Sequence, residues 1–249
     1  MTSPLAKEST ERIRVGPILV GCLLGFLLGE IIASALTALA AHVTHYPGGL
    51  SALSKSTSPP WWSNVYGLVG LWCGFATAIY FAFTQGNLKA LPEQWRVRPS
   101  DVMFVALGVA CQFGVDLLYY PFHFKHFNGP VNHLFGGAHG ASFVLLVVMT
   151  TFLAPFIEEW LFRGVLYRTL DEGLRRKFPR AGGWAAVVVS ACLFGLAHGE
   201  LLQFVGLALF GVMLALVLRR SQRLVPSIIT HVSFNAVAMV GLIMQRSGH

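Results

Sequence analysis

The sequence has little charge. Asp, Glu, Lys and Arg make up 12% of its 249 residues, against 55% that are hydrophobic. With a mean hydropathy of +0.62, such a chain cannot present the polar surface of a water-soluble globule and has the composition of an integral membrane protein. Its formal charge of +7 would suit nucleic acid, but the basic residues sit at the ends of apolar runs, where membrane topology accounts for them. Nucleic acid is excluded as a partner. Cysteine is scarce too: Cys22, Cys73, Cys111 and Cys192 lie inside apolar runs rather than in loops. That argues against a disulfide framework and a C-x-x-C metal site, and they read as packing residues. G-x-S-x-G and H-E-x-x-H are both missing, which removes the compact signals of a serine nucleophile and of a zincin centre. Ser190 and Ser233 read as hydroxyls satisfied by their own helices, and no internal repeat is seen.

What is present is a series of long apolar segments. A hydrocarbon core of about 30 Å takes roughly 20 residues of helix per crossing, and segments of that size fall at about 15–41, 63–84, 101–121, 141–168, 183–199, 201–218 and 223–245. The expected fold is all-α: a polytopic transmembrane helical bundle of about seven crossings. The first segment, with basic residues before it and "ALAA" after it, has the outline of a secretory signal, but Ala41 lies farther in than the usual 15–30 residues or so, so an uncleaved helix is expected. The 183–199 segment is short, and the Gly199-Glu200 turn after it is expected below the membrane surface, within protein or water.

Lys7, Arg12, Arg14, Lys89, Arg96, Arg98, Arg168, Arg175, Arg176, Lys177, Arg180, Arg219, Arg220 and Arg223 all fall on one side of this layout; Lys55, Lys125 and Arg246 fall on the other. The excess marks the cytoplasmic side, which predicts a cytoplasmic N-terminus and an exoplasmic C-terminus. Gly21, Gly25 and Gly29, with Gly70 and Gly74, recur at intervals of four that let helix backbones approach closely. Beyond Gly164 the helix continues with Leu166, Leu170, Leu174 and Phe178 in a stripe among basic residues, the pattern of a helix lying on anionic headgroups.

Arg163 remains inside the membrane, with other ionisable groups. Each costs about 2.5–3.5 kcal/mol at the centre of a membrane helix, so each needs a partner or a function. In "APFIEEWLFRG" Glu159 and Arg163 are four apart, acid first, the favourable order for an ion pair along one face. Glu158 points about 100° away and has no basic partner in its helix. His231 and Asn235, and likewise Phe194 and His198, are also four apart and share a face. With a rise of 1.5 Å per residue, Glu158, His231, Asn235 and His198 lie roughly 15, 13, 20 and 22 Å from their cytoplasmic ends, depths compatible with one shared site.

A carboxylate and two imidazoles in a low-dielectric cavity suit two chemistries. Glu158 serves as general base on a water attacking a peptide carbonyl, with His198 holding that water and His231 and Asn235 donating to the oxyanion. Alternatively Glu158, His198 and His231 bind a divalent metal such as Zn²⁺, which lowers the pKa of its water. The first needs no cofactor and is preferred. Glu30, Gln112 and Asp116 read as interhelical hydrogen-bond partners or headgroup neighbours, and the loop residues His123, His126, His133 and His139 are too irregularly spaced for a metal motif.

The chain resembles the CAAX-protease and bacteriocin-processing family, the ABI proteins, which are glutamate-type intramembrane proteases. Three of the family's motifs appear in order: E-E-x-x-x-R as "EEWLFR" (Glu158 to Arg163), F-x-x-x-H as "FGLAH" (Phe194 to His198) and H-x-x-x-N as "HVSFN" (His231 to Asn235), the last preceded by "PSIITH". The resemblance covers about residues 141–245. It implies a four-helix catalytic core in the C-terminal half (141–249), leaving 1–140 as membrane helices of unassigned role. It implies Glu158 as the water-activating base, His198 as its partner, His231 and Asn235 as oxyanion stabilisers, and Glu159, Arg163 and Phe194 as support. The implied substrate is a membrane-associated peptide or protein with a hydrophobic or lipidated tail. The implied location is a membrane, a bacterial inner membrane among the family's bacterial members.

Overall fold

The computed structural model describes residues 12–122 and 129–247. Lys7, Lys125, His123 and His126 fall outside these. Among the described residues the seven longer helices are α1 (Val15–Val43), α2 (Trp61–Thr84), α3 (Met103–Tyr119), α4 (Gly140–Lys177), α5 (Gly182–Ala197), α6 (Phe204–Ser221) and α7 (Leu224–Ser247), with short helices at Gly49–Leu53 and Gly129–Phe135 in the loops. Six are long and apolar enough to cross a membrane, α3 being counted with its flanking turns as Pro99–Phe122; α5, with 16 residues, is shorter. No strand occurs among the described residues beyond an isolated bridge between Pro60 and Gly137. The chain is an integral, multi-pass, all-helical membrane protein.

Successive helices run in opposite directions, and one end of the bundle gathers the described basic residues apart from Lys55, Arg246 and the buried Arg163; there Arg14 bonds the Gln85 carbonyl, Arg168 that of Lys89, Arg176 that of Ile13 and Arg223 that of Arg96. α1 and α2 meet backbone to backbone through their glycines. A methyl group on Gly74 would stand 2.1 Å from the Gly25 carbonyl oxygen, and one on Gly70 would stand 2.3 Å from the Ala33 nitrogen. The opposite face of α1, with Val20, Leu23, Leu24 and Ile31, is exposed, as a lipid-facing surface is. Glu30 is exposed on the same helix.

The core lies between α2, α4, α5, α6 and α7, around Phe75, Phe162, Val165, Phe194, Phe210 and Leu214. α5 and α6 form a hairpin turned by Gly199, whose φ of +71° favours glycine. They pack closely where Gly211 faces Ala191.

α4 continues past the membrane segment to Lys177, as expected. One expectation is corrected: its stripe does not lie on headgroups, since Leu166 and Leu170 are buried and Leu174 packs on the core. The start of α5 covers it, because Gly182 has no side chain to hold α5 off the Leu174 backbone. Only Phe178 stays exposed.

Candidate functional site

α4 contains two wide turns, Met149–Leu153 and Trp160–Tyr167, that flank the α-helical Ala154–Glu159. Such π segments concentrate at functional positions. In the first, the Ala154 N–H reaches back five residues to the Met149 oxygen. The next donor in that register would be residue 155, but it is proline and has no N–H. The Thr150 carbonyl is thereby orphaned, and Asn235 of α7 fills the place, donating from Nδ2 at 2.9 Å.

One turn later comes Glu159, fully buried. Its Oε1 lies 3.0 Å from Arg163 Nη1 and 3.1 Å from His231 Nδ1, and its Oε2 accepts from the Ser227 hydroxyl. Arg163, 1% exposed, donates through Nη2 to the Gly211 carbonyl at 3.1 Å and lies over the Phe194 ring, 4.4 Å from its centroid. These contacts offset part of the cost of burying the pair, while Arg163 Nε has no hydrogen-bond partner among the described residues. Ser227, His231 and Asn235 stand at intervals of four on one face of α7, and all three bond to α4.

Since a carboxylate oxygen only accepts, His231 directs its Nδ1–H at Glu159 and turns Nε2 toward Glu158, whose Oε2 is 3.9 Å away. That gap is too long for a direct hydrogen bond and is the span a water bridges. His198, at the end of α5, holds its Nδ1–H on the Phe194 carbonyl at 2.8 Å, which leaves Nε2 as an acceptor. The Phe194 ring stands between the imidazoles, 4.8 Å from His198 and 5.6 Å from His231, centroid to centroid.

Glu158, His198, His231 and Asn235 line one cavity of about 720 Å³, together with Thr150, Gln112 and Asp116. Gln112 and Asp116, expected to bond between helices, pair with each other inside α3 at 2.9 Å. The cavity is within the size range of small-ligand sites, about 300–1,000 Å³.

Among the described residues no three His, Cys, Asp or Glu side chains are grouped to hold an ion, and His198, with its Nδ1–H on the Phe194 carbonyl, has Nε2 as its one ring nitrogen open to a ligand. His133 and His139 are exposed and join no such group.

Sequence spacing missed three participants. Ser227 carried a signal, standing four residues before His231 within "PSIITH". Thr150 and the Gly211 carbonyl carried none, because they contribute backbone oxygens that any residue has.

Residues 140–237 match the family model described as type II CAAX prenyl endopeptidase, Rce1-like. No curated protein and no solved structure matches the chain significantly. Across residues 140–237, which include all three motifs, the chain is Rce1-like, similar to a family of membrane endopeptidases, and the resemblance read from those motifs is borne out there.

Proposed function

We propose that residues 141–249 form the catalytic core of an intramembrane endopeptidase that activates water with Glu158, without a covalent intermediate. The observation that carries this is the 3.9 Å separation of Glu158 Oε2 and His231 Nε2 at the edge of a shared cavity. A water held there donates one hydrogen to each acceptor and turns a lone pair outward to the scissile carbonyl carbon. Glu158 takes the proton as a C–O bond forms. It returns that proton to the leaving nitrogen as the C–N bond breaks, giving an acid and an amine.

His231 thus takes the water-holding role that spacing gave to His198. Glu159 fixes its tautomer, as a buried carboxylate does for a catalytic imidazole. Asn235, with one Nδ2 hydrogen on Thr150, has a second for the oxyanion. His198 Nε2 accepts a peptide N–H at the mouth. The substrate is a peptide with a hydrophobic or lipidated tail, and residues 1–140 flank the core. The basic end is cytoplasmic, as in the sequence reading, with the N-terminus there and the C-terminus exoplasmic.

The test is cleavage of a fluorogenic peptide with a hydrophobic tail by protein in lipid nanodiscs. Glu158→Gln should melt like wild type and lose about 10²–10⁴-fold in kcat. Equal turnover by that variant sinks the reading and leaves a noncatalytic scaffold. Loss of activity with a chelator, restored by Zn²⁺, would replace glutamate-activated water with metal chemistry.

A further inference from the structure

Gln112 and Asp116 belong to α3, outside the family-matched residues, yet they line the same cavity as Glu158. Gln112 is only 9% exposed and donates Nε2 to Asp116 Oδ1 at 2.9 Å. Its Oε1 is buried and has no hydrogen-bond partner among the described residues. One Nε2 hydrogen goes to Asp116 Oδ1, and the two oxygens that remain, Gln112 Oε1 and Asp116 Oδ2, are acceptors. An unpaired buried acceptor is unfavourable, and what relieves it is a donor from outside the fold.

The level of this pair is fixed by packing. α3 and α7 run in the same direction, and Gly108 faces the Thr230 carbonyl and Ser233 so closely that a methyl would stand 2.2 Å from that oxygen. One turn onward, about 5.4 Å, α3 has reached Gln112 and α7 has reached Asn235. Gln112 therefore stands at the level of the catalytic groups, and Asp116 stands one turn nearer the mouth, where its side chain is exposed.

We propose that Gln112 and Asp116 form a substrate subsite for donors: Gln112 Oε1 takes a backbone N–H of the bound peptide, and the Asp116 carboxylate takes a lysine or arginine side chain. An extended peptide advances about 3.3 Å per residue, so the basic residue lies within about two positions of the backbone group on Gln112. This rests on the endopeptidase reading and adds to it a selectivity for substrates with a cation beside the cleavage point.

The experiment is peptide binding to nanodisc-held protein by fluorescence anisotropy, using three tail peptides that differ only in Lys, norleucine or Glu at that position. Wild type should bind the Lys peptide about fivefold to tenfold more tightly than the norleucine peptide. Asp116→Asn should bring the two within about twofold, and Asp116→Lys should turn the preference to the Glu peptide. Gln112→Leu should weaken all three alike. Asp116 is exposed, so its variants keep the fold, which thermal melting checks. Equal binding of Lys and norleucine peptides by wild type, or a Lys preference that survives Asp116→Lys, overturns the proposal. Cleavage is scored separately: Lys-selective binding without hydrolysis keeps the subsite and ends the endopeptidase reading, and hydrolysis without selectivity does the reverse.

Discussion

At the scale of single residues, the contact between Asn235 and Thr150 joins a stability role to a proposed catalytic one, and the two can be separated. Pro155 orphans the Thr150 carbonyl, and Asn235 satisfies it. Asn235→Ala should therefore cost about 1–3 kcal/mol, as expected for a buried acceptor left unpaired, and should lose turnover as well. Pro155→Ala restores a backbone N–H, so the double variant should regain stability in a thermal melt but not activity. If activity returns with stability, Asn235 has no part in the oxyanion. Glu159 and Arg163 behave differently. Removing either leaves an uncompensated buried charge, and each alanine variant should lose about 3–5 kcal/mol, read as a fall in Tm and in yield of folded protein. The pairs at intervals of four were legible in the sequence because a helical period puts them on one face whatever surrounds them. The partners of the pair beyond its own helix were not, since Ser227 reaches Glu159, and the Gly211 carbonyl reaches Arg163, only through tertiary packing.

At the scale of elements, the long helices could be read because each must satisfy its backbone within itself over the membrane's thickness. Their contacts could be read only where small residues repeat. Gly74→Ala should destabilise, since the added methyl meets the Gly25 carbonyl with no flexible side chain to give way; overpacking of this kind costs about 1–3 kcal/mol. Gly67→Ala on the same helix meets nothing within 4 Å and should stabilise by up to about 1 kcal/mol. A lower Tm for the second variant than for the first would show that α1 and α2 do not meet through this glycine face. The stripe on α4 after Gly164 was misread for a physical reason. Leucines among arginines look the same whether lipid or another helix covers them, and what decided the matter was two glycines at the start of α5, Gly182 and Gly183, which carry no apolar signal.

At the scale of the whole molecule, the fold has a charged end and a cavity, and they lie apart. Arg12, Arg14, Arg96, Arg98, Arg175, Arg180, Arg220 and Arg223 gather at the end where α1, α3 and α7 begin, and there the bidentate pair of Arg223 with Asp101, both bonds at 2.7 Å, ties α7 to the turn before α3. The cavity runs the other way, from Glu158 and His231 past Asp116 to Tyr119, Asn132, Gln203 and Gln245, the end that holds few lysines or arginines. If the basic end is cytoplasmic, a substrate enters from the exoplasmic face, unlike one presented in the cytosol. Single cysteines in a chain whose four native cysteines are replaced by serine or alanine make this measurable. A cysteine at Asn132 should react with a membrane-impermeant maleimide added to intact cells, and one at Arg180 should react only after the membrane is opened. A tail peptide supplied outside should slow labelling at Asn132 and leave Arg180 unaffected. Labelling at Arg180 in intact cells would invert the topology and put the cavity mouth in the cytosol, and protection of neither position by peptide would place substrate entry elsewhere on the bundle.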